Sequence, residues 1–124
     1  MKTLIELARK QSLKSSFRQR VGACLVKDGK VISVGYNIIN NDLPFSTEHW
    51  VSSTHAEMMC LMRLIKKGRV KQIAGSTMYV VRTMKSGQLG LAMPCQPCYR
   101  VMSALKVRSV IFSNDDQGFS TIIL

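Results

Sequence analysis

The order of apolar and polar positions divides the chain into short segments, each with its own period. Residues 2–15 place Leu4, Ile5, Ala8 and Leu13 at mostly helical spacing, which predicts a first helix. Val21 to Val26 and Val31 to Tyr36 are two runs rich in β-branched residues, joined by Lys27-Asp28-Gly29-Lys30. An Asp-Gly step there predicts a hairpin, because the tight turn needs positive φ at both central residues. Asn40 to Ser53 is polar and turn-rich, holds Pro44, Phe45, His49 and Trp50, and reads as a loop. From Thr54 to Gly68 an apolar stripe of Met58, Leu61, Met62 and Ile65 predicts a second helix, with Gly68 as its stop. Ser76 to Val81 is a third strand and Lys85 to Gly90 a loop. Pro94 then opens a helix carrying Cys98, Val101, Met102 and Leu105 on one side. Val107 to Ser113 and Phe119 to Leu124 read as strands around a turn at Asn114 to Gly118.

The predicted order is therefore α-β-β-α-β-α-β-β. Strands separated by helices form parallel pairs and the opening hairpin is antiparallel, so an α/β fold results: a mixed five-stranded sheet flanked by helices. The last connection is too short for a parallel crossover, so the final strand is expected to be antiparallel. With 124 residues and no repeat or linker-like stretch, residues 1–124 are expected to form one domain. No apolar run approaches the roughly 20 residues needed to cross a bilayer, and the first ten residues lack a signal-peptide core. A cytoplasmic protein without membrane attachment is the expectation.

Charge adds a second signal. The chain has 18 Lys+Arg against 7 Asp+Glu. No acidic residue lies between Glu57 and Asp115, a stretch that holds Arg63, Lys66, Lys67, Arg69, Lys71, Arg82, Lys85, Arg100, Lys106 and Arg108. Such a field attracts phosphates on a nucleotide, a polynucleotide or an acidic surface. The plain alternative is a solvated basic face.

The candidate chemistry lies in two short motifs, His55-Ala56-Glu57 and Pro94-Cys95-Gln96-Pro97-Cys98, each at the start of a predicted helix. One imidazole and two thiolates are ligands zinc prefers, and they leave a fourth tetrahedral position for water, whose pKa zinc lowers to roughly 7. A helix N-terminus favours thiolate over thiol. Glu57 is the carboxylate closest in sequence, and at i+2 it lies roughly 200° around the helix from His55, which argues against a shared ligand role. Other readings stay open. Thr54 to Glu57 also fits a capping box. Cys95 and Cys98 fit a redox pair, or half of a structural zinc site completed by Cys24, Cys60 or His49.

These motifs, in this order and with a forty-residue gap, resemble the zinc-dependent cytidine and deoxycytidylate deaminase superfamily. Val21-Gly22-Ala23 and Gly35-Tyr36-Asn37 ahead of them agree. The resemblance implies a three-layer cytidine-deaminase-like fold and one Zn2+ per chain on His55, Cys95 and Cys98. It implies Glu57 as proton shuttle, and attack at C4 of cytosine with loss of ammonia. It also assigns Asn37 and Ala56 to the substrate pocket and places Phe45 and Trp50 where the family's pocket wall stacks the base. Arg82 and Lys85 are expected to meet a 5′-phosphate.

Substrate signals divide. A short last turn resembles the free-nucleoside enzymes. His55 as first ligand resembles the nucleotide and polynucleotide branches instead, and Ile39 stands where nucleoside enzymes place a sugar-binding glutamate. The tRNA-adenosine branch is disfavoured because it usually carries a longer C-terminal part. A dCMP- or CMP-type nucleotide is the first expectation and single-stranded DNA or RNA the second. A catalytically silent zinc domain that binds nucleic acid is the third. The eight methionines and the resemblance point to a homo-oligomer.

Overall fold

Asp28 and Gly29 carry φ of 52° and 77°, and Lys27 pairs with Lys30 across them, so the hairpin turn is the two-residue type the sequence predicts. The structure is a computed structural model that describes residues 2–15, 19–39 and 53–124. Its elements in chain order are α1 (Lys2–Ser12), β1 (Arg20–Lys27), β2 (Lys30–Tyr36), β3 (Ile38–Ile39), β4 (Ser53–Thr54) and α2 (Ala56–Lys66). There follow a 3-10 turn (Val70–Gln72), β5 (Thr77–Thr83), β6 (Leu89–Gly90), α3 (Gln96–Ala104), β7 (Ser109–Ser113) and β8 (Phe119–Ile123).

The main sheet has the order β2-β1-β5-β7-β8, and β6 adds two residues beside the end of β5. β5 and β7 are parallel, with α3 as their crossover. β8 returns antiparallel to β7, as the short connection requires. β2 and β5 also run in the same direction, but β1 lies between them and pairs antiparallel with both. The two-residue strands β3, β4 and β6 were not expected: so short a segment has no period to read.

Alternation along the strands builds the three layers. Ala23 and Leu25 of β1, Met78 and Val80 of β5, and Val110 and Phe112 of β7 pack with α2 and α3. Cys24, Val26, Tyr79 and Val81 face the other way, onto Ala8 of α1. The α2 stripe is a correction. Its buried residues are Ala56, Glu57, Cys60, Leu61 and Leu64, while Met62 and Ile65 are exposed. Helix period alone left the face uncertain, and a buried acid and a buried cysteine pull it round from the most apolar side. Leu13 at the end of α1 is exposed as well.

Two glycines let the helices approach the sheet. A Cβ on Gly35 would lie 2.7 Å from the Ala56 carbonyl oxygen and 2.9 Å from the Cys60 nitrogen, and one on Gly22 would overlap the α1 backbone at Ala8 and Ser12. Backbone cannot swing aside as a side chain can. Gly22→Ala is therefore expected to destabilise the fold by about 3 kcal/mol, the upper end of ordinary overpacking, seen as a lower urea midpoint.

The strand registers give the molecule two ends. The start of β1, the ends of β2 and β5 and the N-termini of α2 and α3 meet at one. The hairpin turn, the starts of β5 and β7 and the C-termini of α2 and α3 meet at the other. Among the described residues, no helix is long and apolar enough to cross a membrane.

Candidate metal centre and active site

His55 and Cys95 occupy equivalent places. Each is the N-cap of its helix in extended backbone, His55 at φ −69° and ψ 155°, Cys95 at φ −73° and ψ 166°. Their carbonyls accept the first helical hydrogen bonds, from Met59 at 3.0 Å and Tyr99 at 2.9 Å. Cys98 follows one turn into α3, where Pro97 costs nothing because first-turn N–H groups have no helical partner. Two helix N-termini thus converge, and their dipoles favour anionic thiolates between them.

Cys95 Sγ and Cys98 Sγ each lie 3.3 Å from His55 Nδ1. All three donor atoms lie within 4.8 Å of one another. Zinc bonds of about 2.3 Å to sulfur and 2.0 Å to nitrogen, in a tetrahedron, separate ligand atoms by about 3.5–3.8 Å. Both sulfur–nitrogen separations are within a few tenths of an ångström of that, and the donor set fits zinc. Burial pushes the Cys98 thiol well above its ordinary range, and the Glu57 carboxylate and Cys95 push it further. A dication among these groups reverses that cost, since a coordinating thiol is deprotonated outright. Cys24 and Cys60 stand outside the group. Burial raises the Cys24 thiol to about 12 and Cys60 well above its usual value, so both stay protonated in the core.

Glu57 is only 5% exposed and is not among the three donors. Burial raises its pKa, opposed by a hydrogen bond from its own backbone N–H and by the charge of His55. The capping box does not form: the N-cap is His55, and Thr54 lies in β4. The carboxyl instead lines a half-open cavity of about 170 Å³ with Gln19, Val21, Asn37, His55, Ala56 and Arg82.

Asn37 lines this cavity, but its amide is also structural. Its oxygen accepts the Val21 N–H at 2.9 Å and its nitrogen donates to the Gln19 carbonyl at 2.5 Å. One amide hydrogen is left for another acceptor. Ala56 and Arg82 line the cavity. Lys85 does not: it is exposed in the turn between β5 and β6 and lines no part of it. Phe45, Trp50 and His49 lie outside the described residues. The expectation missed Leu91, Ala92 and Met93, which form a wall directly before Pro94. Ser113 holds that wall, donating to the Gly90 carbonyl at 2.6 Å and accepting the Arg82 N–H at 3.0 Å, while its carbonyl accepts the Ala92 N–H. Adjacency to the Pro-Cys motif was the available signal for 91–93; nothing in the sequence singled out Gln19.

The family model of the cytidine and deoxycytidylate deaminase zinc-binding region matches residues 1–114. The chain belongs to this family. Among solved structures it is similar to the cytidine deaminase of Burkholderia pseudomallei, with 26% identity and a TM-score of 0.73 over 98% of this chain and 91% of that one. The dCMP deaminase of cyanophage S-TIM5 shares the fold at 23% identity and a TM-score of 0.67, over 94% and 84% of the two chains. The chain is also 33% identical over 92 residues to the chloroplastic tRNA(adenine(34)) deaminase of Arabidopsis thaliana. That match takes in 74% of this chain and 6% of the relative. In this zinc-binding family, His55, Cys95 and Cys98 are the residues positioned for the metal.

Proposed function

We propose that the chain is a hydrolytic deaminase that converts cytosine to uracil in a dCMP- or CMP-type nucleotide. The observation that carries this reading is the buried Glu57, which lines the same cavity as the donors His55 and Cys95. Zinc held there supplies Lewis acidity that makes water a nucleophile near neutral pH. The protein's own groups do the rest. Ala56 and Asn37 bound the space for one heterocycle; at about 170 Å³ the cavity is well below the roughly 300–1,000 Å³ typical of larger ligands. Glu57 carries two protons in turn, one from water to ring N3 and a second from the added hydroxyl to the amine at C4, so that ammonia leaves and the water oxygen becomes the uracil carbonyl. Burial raises its pKa, the direction that favours a carboxyl holding and releasing a proton during turnover.

Arg82 is the one Arg or Lys lining the cavity among the described residues, which supports a 5′-phosphate there. Leu91 and Met93 on the rim are exposed and apolar, which supports a homo-oligomer in which a second copy covers them. An intracellular location completes the reading.

A polynucleotide substrate is the second reading, favoured by the identity shared with the tRNA deaminase. Ammonia release by zinc-loaded protein separates the two. Turnover of dCMP and not of a cytosine-containing single-stranded oligonucleotide is expected. Release from the oligonucleotide alone would replace the first reading with the second.

A further inference from the structure

The basic stretch does not surround the cavity. The hairpin turn carries Lys27 and Lys30. Lys66, Lys67, Arg69 and Lys71 follow α2 into the 3-10 turn. Lys106 and Arg108 leave α3, and backbone bonds from Gly75 N–H to Lys106 and from Arg108 N–H to Ser76 join the two segments. The registers Val26 with Thr77 and Thr77 with Ser109 bring the three segments to one end of the sheet. This is the end away from the cavity, roughly 16 Å along α2 at 1.5 Å per residue.

All these cations except Lys27 are exposed, and the only acidic side chain among the segments is Asp28. Among the described residues the one ion pair is Arg9 with Glu6, on α1, so none of the cluster is neutralised. Helix dipoles are too small an explanation. The C-termini of α2 and α3 offer about half a negative charge each, against eight cations. The cluster carries most of the formal net charge of +11.

We infer that this basic pole is a second binding surface, distinct from the cavity, that docks the phosphate backbone of nucleic acid. Its composition favours that class over a membrane. Interfacial anchoring uses bulky aromatic insertions beside apolar ones, and the exposed apolar residues at this end, Val31, Ile65, Val70 and Ile123, are all aliphatic. The three segments hold no aromatic residue, so bases have no stacking platform. Contacts are then to phosphates, and binding is indifferent to sequence. Such a pole would hold the deaminase on a polyanion while the cavity end stays open to a small substrate, so the inference does not rest on the proposed reaction.

The test is fluorescence anisotropy with short labelled duplexes of unrelated sequence. Zinc-loaded wild-type protein is expected to bind all of them alike. Raising salt from about 50 to 200 mM should weaken binding by on the order of 10³-fold if six phosphates are neutralised. Two variants drawn from separate elements, Lys66→Glu/Lys67→Glu/Arg69→Glu/Lys71→Glu and Lys106→Glu/Arg108→Glu, should each lose about tenfold or more in affinity and flatten the salt slope by about one per lost contact. Lys85→Glu, at the cavity end, should bind as wild type does. Unchanged melting and zinc content show that the variants fold. No binding at low salt, a loss confined to Lys85→Glu, or capture by anionic vesicles but not by duplexes would each overturn the inference.

Discussion

Cys98→Ala is expected to leave a protein that retains no zinc after dialysis and releases no measurable ammonia. Cys98 is 2% exposed and supplies one of the three donor atoms brought together among the described residues. With two donors left, affinity falls steeply, because each ligand holds the others' geometry in place. Stability falls with it. A metal held at a thousandfold above its dissociation constant contributes about 4 kcal/mol by mass action. In a domain of this size that corresponds to a melting temperature lower by about ten degrees or more. Chelation of the wild-type protein should reproduce the shift, and added zinc should restore the wild type and leave the variant low. Full zinc content in Cys98→Ala would remove it from the ligand set and leave the site without a third donor. Differential scanning fluorimetry with metal analysis reads both quantities.

The metal site was legible in the sequence because its signal is local. Pro-Cys-x-x-Cys places two sulfurs within one turn, and His55-Ala56-Glu57 opens the other helix. What no spacing states is that both helices begin at the same end of one sheet. That follows from the parallel pairing of β5 with β7 and from the glycines that seat the helices. The hairpin and the antiparallel last strand were legible for the same local reason, a two-residue turn and a connection too short to cross over.

Long-range properties were harder to read. The buried side of α2 holds Glu57 and Cys60, so the most apolar stripe was the wrong guide. Lys85 lies near Arg82 in sequence, yet the chain turns away between them and only Arg82 reaches the cavity. Asn37 was read as a substrate contact, and its bonds to Gln19 and Val21 show a second duty, closing the start of β1 onto the end of β2. The basic stretch looked like one field when written as a line. Folded, most of it gathers at the end remote from the chemistry.

Glu57→Gln separates the three roles open to this side chain. A general acid–base contributes on the order of 10²–10⁴ in rate, so kcat is expected to fall by that factor. Zinc content should stay at the wild-type level, because Glu57 is outside the donor group. Substrate affinity should change little, since glutamine keeps the size of the side chain and lacks only the exchangeable acid. If the carboxylate served mainly as a helix cap, the cost would appear as about 1 kcal/mol of stability with turnover intact; the His55 N-cap already argues against that. In a silent zinc domain the substitution would change neither rate nor metal. The buried position sharpens the prediction further. A carboxyl 5% exposed with a raised pKa is an expensive group to keep in a core, and an isosteric amide removes the cost of ionising it. The variant should therefore be at least as stable as the wild type while losing nearly all its turnover. That opposition is expected of a group retained for proton transfer and not for packing. Steady-state ammonia release, metal analysis and thermal melting on one preparation decide it.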